Sequence, residues 1–333
     1  MSITQKLLAC KHPEIVSCPP VTLLDIGASG GVHARWLEIK NRLRIIGVEP
    51  DEVECRKLAE AYSSGNGNVY LNTGLFDRAA TLPLFITEQQ VCSSIFEPNL
   101  NLLKSFHNWQ RFSVANKTEI QVERLDAALE RARISDIDFI KVDTQGSELG
   151  ILMGSGAFLD DCVVGVEVEA EFTALYHGQP LFADVDSFMR KNGFELFDLS
   201  RHFWRRTEVA GYQGCYRGQI IYADALYLAS PNKLQAILSK LSSMEERTAK
   251  FIRAVEVVLL YGYYDYVLHL CQTISGVNPD VTITIENLVK RKLTWQFQLP
   301  EIRGKTRLGI MLRALSAWIW ESRANYDDPE LGN

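Results

Sequence analysis

Near its start the chain runs from a six-residue apolar stretch, Val21 to Ile26, straight into Gly27-Ala28-Ser29-Gly30-Gly31. Glycine adopts backbone angles closed to other residues, so the chain can turn sharply and lay bare backbone against whatever lies beyond the strand. Short apolar runs then alternate with amphipathic stretches, the pattern of βαβ units built around a mostly parallel sheet. Arg44 to Val48 predicts the second strand. Asp51 to Tyr62 predicts a helix with Val53, Leu58 and Ala61 on its apolar side, and Val69 to Leu71 a third strand after the Asn66-Gly67 turn. Leu82 to Thr87 and Thr118 to Leu125 predict added strands around a loop holding Ser93 and Ser94. Asp138 to Val142 and Val163 to Val168 supply two more core strands. Helix Phe182 to Lys191 stops at Asn192-Gly193, and Phe194 to Leu199 with Gln219 to Leu228 reads as a hairpin pair at the sheet edge.

After Ser230-Pro231 the pattern becomes helical, over Leu234 to Leu241, Glu245 to Ile274 with a break at Gly262, Val281 to Leu293 and Lys305 to Ser322. Residues 1–230 are therefore expected to form a catalytic-type α/β domain and 231–333 a helical C-terminal extension, and a chain cut near Ser230 is expected to keep a folded core. The helices of the extension could serve self-association or a partner; Leu308 to Trp320 reads as a partner-binding or membrane-surface helix or, in preference, as a helix docked on the core.

A net charge of -6 argues against a dedicated nucleic-acid binder, while leaving room for a local basic patch around Arg201, Arg205 and Arg206. The seven cysteines, at 10, 18, 55, 92, 162, 215 and 271, form no Cys-x-x-Cys pair and suggest neither a zinc knuckle nor a disulfide framework. Met1 to Lys11 carries no apolar run of signal-peptide length, and Val255 to Tyr266 falls short of the ~20 residues that span a bilayer. A cytoplasmic address without stable membrane insertion is expected by default.

The glycine loop admits several uses. A dinucleotide fingerprint, Gly-x-Gly-x-x-Gly, fails at Ser29 and Val32, which weakens a nicotinamide oxidoreductase. A nucleophile elbow, Gly-x-Ser-x-Gly, fits the letters around Ser29 but comes too early in the chain for a hydrolase. The third use is an Asp-x-Gly loop, Asp25 to Gly31, wrapping the methionine end of S-adenosylmethionine (SAM), with amides at the following helix start attracting its carboxylate. Glu49, ending the second strand, is placed to accept both hydroxyls of a ribose. A turn that merely joins strand to helix, or a non-catalytic adenosine-binding module, uses the same residues.

A second segment narrows the choice. Asp138-Phe139-Ile140-Lys141-Val142-Asp143-Thr144-Gln145-Gly146-Ser147-Glu148 resembles the Ile-Lys-x-Asp-x-x-Gly-x-Glu signature of the FkbM family of methyltransferases. Val48-Glu49-Pro50, Ser93-Ser94, Leu125-Asp126 and Gly165-Val166-Glu167-Val168-Glu169 follow in that family's order, over roughly residues 20–230. The resemblance implies a class I, Rossmann-like methyltransferase sheet, mostly parallel with an antiparallel edge strand. It also implies SAM as cofactor and a hydroxyl acceptor on a saccharide, glycoconjugate or similar small molecule.

On that reading Asp25, Gly27, Ala28, Ser29, Gly31, Glu49, Gly74 and Asp143 form the cofactor-binding set. Asp143, at the carboxyl end of a central strand, stands where open α/β sheets hold ligands, although an Asp there also caps helices. Alternation puts Glu167, Glu169 and Glu171 on one side of their strand, with Glu169 the choice for an acceptor-binding carboxylate. His177, in the next loop, is a candidate proton acceptor or an exposed loop histidine. His202, Trp204 and Arg205 read as part of an acceptor surface. A divalent ion between Asp143 and Glu169 is weighed, and a metal-free site preferred.

Overall fold

The computed structural model describes residues 12–63, 66–207 and 218–294, together with Thr4, Leu7, Cys10 and Met311. The helix expected over Lys305 to Ser322 lies outside the described residues, apart from Met311. Val21 to Ile26 forms β1, buried along its whole length because strands flank it on both edges and helices cover it. It pairs in parallel with β2 (Leu43–Val48), which pairs with β3 (Val69–Leu71). Two short strands follow, β4 (Gly74–Phe76) and β5 (Ala80–Thr87). With the long β6 (Val114–Arg124) they make a separate three-stranded sheet in the order β4-β6-β5.

The main sheet resumes with β7 (Phe139–Val142), β8 (Gly165–Glu171), β9 (Phe194–Trp204) and β10 (Gln219–Ala229), in the order β3-β2-β1-β7-β8-β10-β9. β10 alone runs antiparallel, wedged between β8 and β9. The two late strands do form a hairpin pair, with the antiparallel member one place in from the edge. This is the α/β architecture the sequence predicts.

Local chemistry accounts for the element ends. Asp51 caps helix Glu52–Ala61 by accepting the Glu54 amide at 2.9 Å. That helix buries Cys55 and Leu58, whereas Val53 is left 60% exposed. Gly262, at φ 83°, separates helices Met244–Leu260 and Tyr264–Thr273. Ser243 and Glu246 close the first of these with a reciprocal capping box.

The extension does not stand apart. Helix Met244–Leu260 buries Lys250, Arg253 and Glu256, and the same apolar core runs from Val21 to Val289. Asp138, fully buried at the entry to β7, accepts from the Thr22 amide at 2.8 Å, from Lys250 at 2.7 Å and from Arg253 at 3.0 Å. Burial alone would raise this carboxyl, but the two cations hold it below its ordinary value. Glu256 pairs with Arg42 at 2.9 Å. Cutting the chain at Ser230 would leave Asp138 and Arg42 without these partners. The packing therefore opposes the expectation that residues 1–230 keep their fold alone. Asp138→Asn leaves two buried cations facing only the half-exposed Asp136, and should cost about 3–5 kcal/mol in urea denaturation. A loss below about 1 kcal/mol would show that the cluster is incidental to stability.

Candidate cofactor and acceptor site

The glycine loop leaves β1 with positive φ at Gly27, Gly30 and Gly31. A Cβ on Gly27 would collide with the Asp143 carbonyl oxygen, so glycine lets the loop lie directly against the end of β7. At Gly30 the same position opens into empty space. The amides of Gly27 and Ala28 both donate to the Val48 carbonyl, at 3.1 and 3.4 Å. The helix after the loop spans only Ala34–Leu37, and His33 Nδ1 accepts the amide of Arg35 at its start. A helix this short does not offer the row of free amides expected at a helix start, and within the loop it is Ser29 and Gly30 that are exposed.

Glu49 follows β2 and is 7% exposed. The Asp51 amide donates to its Oε1 at 2.9 Å, and the nearby Ser29 backbone favours its ionised form. Burial nonetheless pushes this carboxyl up. Gly74 sits elsewhere, at the start of β4, where a Cβ would meet the Gln121 carbonyl oxygen at 2.8 Å. Its lack of a side chain answers to strand packing, while Asn72, two residues before it, donates to the Glu49 and Pro50 carbonyls.

Register aligns charged residues on one face of the main sheet. Asp25 on β1 lies beside Lys141 on β7, and Lys141 beside Glu167 on β8. One oxygen of the buried Asp25 has no hydrogen-bond partner, and burial raises its pKa to about 6. Burial opposes the charge on Lys141, but Asp143, Asp25 and Glu167 more than offset it and raise its pKa. Beyond this row Asp143, Glu169 and Glu171 line the carboxyl ends of β7 and β8.

Gln145 joins these acids. Its Nε2 donates to Glu169 at 2.8 Å and reaches Asp143 at 3.3 Å, while its Oε1 accepts from Tyr176 at 3.1 Å. Gln145 is held at φ 59°, a left-handed conformation that costs a non-glycine residue roughly 1–2 kcal/mol. Ser94 braces it by donating to its carbonyl at 2.7 Å. Glu148 does not face the cleft. It folds back to accept the Thr144 and Gly146 amides, at 2.7 and 2.9 Å, and closes the turn.

Burial, reinforced by Asp143 and Glu171, pushes Glu169 well above the usual carboxylate range, and burial with Glu148 takes Glu171 to about 8. Asp224 on β10 stands directly across from Glu169, and 3.2 Å from His202 Nε2. The His202 ring stacks on Tyr222 with centroids 4.3 Å apart. His177 is placed differently. It is exposed and anchored by its own amide to the Glu97 carbonyl at 2.8 Å, with no described hydrogen bond to Asp143 or Glu169. Trp204 packs into a second apolar cluster with Phe106 and Phe112. Sequence reasoning passed over Gln145, Tyr176 and Asp224. Asp224 did leave a signal, as the one charged residue in the apolar run Ile220 to Ala229. Among the described residues no group of three or more His, Cys, Asp or Glu side chains is arranged to hold a metal, and no helix is long and apolar enough to cross a membrane.

Comparison with known proteins places this geometry. A search of curated proteins gives no match. The magnesium protoporphyrin IX methyltransferase of Synechocystis PCC 6803, solved with bound SAM, is similar over 68% of this chain and 76% of that one, at 11% identity and a TM-score of 0.33. The precorrin-6y C5,15-methyltransferase of Geobacter metallireducens GS-15 is similar over 68% and 85%, at 10% identity and a TM-score of 0.31. The family described as the methyltransferase FkbM domain matches residues 25–196, the span that carries the glycine loop, Glu49, Asp143 and Glu169. The chain belongs to the FkbM family of SAM-dependent methyltransferases.

Proposed function

We propose that this enzyme moves the methyl group of SAM to a hydroxyl oxygen of a small molecule, a saccharide or glycoconjugate in the first instance. The carrying observation is the half-buried mouth in which Gln145 ties Asp143 to Glu169 beside the glycine loop. The residues present suit the cofactor. The orphaned oxygen of Asp25 and the open space at Gly30 leave room and polarity for the methionine end, and Glu49 stands one strand over for the ribose. Bound there, SAM supplies a methyl group already activated on a sulfonium.

The protein's tasks are then alignment and proton removal. Asp143, 38% exposed and against the loop through its own carbonyl, orients the donor side. Glu169 takes the acceptor proton, because its burial makes it a stronger base than a solvated carboxylate. His177 is the competing base, at the rim. The partly exposed carboxyls of Asp143 and Asp224 at this mouth disfavour polyphosphate, which favours a small neutral acceptor over nucleic acid.

In the folded protein, Glu49→Ala should weaken S-adenosylhomocysteine (SAH) binding by the ~1.5–3 kcal/mol of a charge-assisted hydrogen bond. Calorimetric titration showing parent affinity would move the cofactor away from β2.

With tritiated-methyl SAM and a panel of methyl glycosides, Asp143→Asn and Glu169→Gln should each lower label transfer by about 10²–10⁴ while Tm changes little. Asp143→Asn should also weaken SAH binding, and Glu169→Gln should spare it. A larger loss in His177→Ala would hand the proton to the rim histidine, and parent rates in both carboxamide variants would refute the site as drawn.

A further inference from the structure

The matched family segment ends at residue 196, yet one residue far beyond it reaches the polar row under the glycine loop. Tyr261, at the C-terminal end of helix Met244–Leu260, is 1% exposed, and its hydroxyl donates to Glu167 Oε2 at 2.6 Å. The Arg35 guanidinium lies over the same ring, 4.2 Å from its centroid and 3.9 Å from Glu167 Oε2. Arg35 belongs to the short helix Ala34–Leu37 that follows the glycine loop, and Glu167 is strand-paired with Lys141, itself paired with Asp25. One phenol therefore touches both the floor of the cleft and the element that carries the loop away from it.

We propose that the C-terminal extension is a working part of the cofactor site, with Tyr261 as a positioning residue that holds Glu167 and Arg35 so that the row Asp25–Lys141–Glu167 presents its charge to the methionine end of SAM. This rests on the placement of SAM at the glycine loop. The groups facing Glu167 are Tyr261, Asp224, Lys141 and Arg35. Burial raises the Glu167 carboxyl, and the Tyr261 hydroxyl is the largest influence lowering it again. Without that donor, Glu167 takes up its proton at a higher pH. Lys141 then loses a counter-charge, and the floor becomes more positive toward the ammonium of the bound methionine moiety.

The test is SAH titration of the full chain between about pH 5.5 and 8.5, where raised carboxyls ionise. In Tyr261→Phe the ring still fills its place against Phe139, whose centroid is 5.4 Å away, so a packing role alone leaves the binding curve unmoved. The proposal requires roughly tenfold weaker SAH binding near neutrality, the effect of one lost charge-assisted hydrogen bond, and a fall in affinity that begins at higher pH than in the parent. Glu167→Gln keeps the side chain's size and fixes it uncharged, so it should hold the weaker affinity to the alkaline end. That decides the matter if Tyr261→Phe fails to fold. Tyr266→Phe, which loses only a bond to the Ala229 carbonyl, is the control and should bind SAH as the parent does. Parent-like curves for Tyr261→Phe and Glu167→Gln, while Glu49→Ala weakens binding, would overturn this proposal alone. An unaffected Glu49→Ala would remove the cofactor placement and this inference together.

Discussion

β1 and β7 lie side by side, and the loop leaving β1 passes so close to the Asp143 carbonyl that only glycine fits at position 27. That contact brings the two signature segments of the chain, more than a hundred residues apart in sequence, to one edge of the sheet. The loop joins β2 through the Gly27 and Ala28 amides, which donate to the Val48 carbonyl, and Gln145 adds β8 through Glu169. A larger residue at 27 would push the loop off β7 and part the glycine loop from the Asp143 end of that strand. The fold's main service to function is this convergence at the carboxyl ends of parallel strands.

Burying so many carboxyls in one region is costly, and the structure meets the cost in two ways. At the amino ends of the strands Asp138 is fully matched by Lys250 and Arg253, and its charge serves stability. At the carboxyl ends the acids outnumber their cations. Asp25 and Glu171 each keep a buried oxygen without a partner, and burial raises the pKa of Asp25, Glu169 and Glu171. Unsatisfied, easily protonated groups of this kind suit the proposed site, whereas a purely structural cluster would pair them.

The architecture was largely legible from periodicity. β1 and helix Phe182–Lys191 have the bounds the apolar runs predicted, and the break at Gly262 fell where glycine interrupted a helical pattern. The short helix after the glycine loop was not legible, because an N-terminal start signal says nothing about length. Lys250, Arg253 and Glu256 are charged residues within an expected amphipathic helix, yet they are buried, since their partners Asp138 and Arg42 lie far away in sequence. For the same reason Gln145 carried no visible role, and Asp224 showed only as a lone charge within an apolar run. A side chain that acts by bridging elements declares itself only when the elements meet. Family order singled out Asp143 and Glu169, which do lie near one another through Gln145, whereas Gly74 packs within the small sheet and His177 is exposed.

The account stands on where the cofactor lies. A crystal structure of the full chain with SAH would show this directly. The account predicts the ribose hydroxyls within about 3 Å of the Glu49 carboxylate, the methionine portion over Gly27 to Gly31, and the sulfur turned toward Asp143 and Glu169. A nucleoside bound away from Glu49, or a sulfur facing away from the β7 and β8 ends, would contradict it.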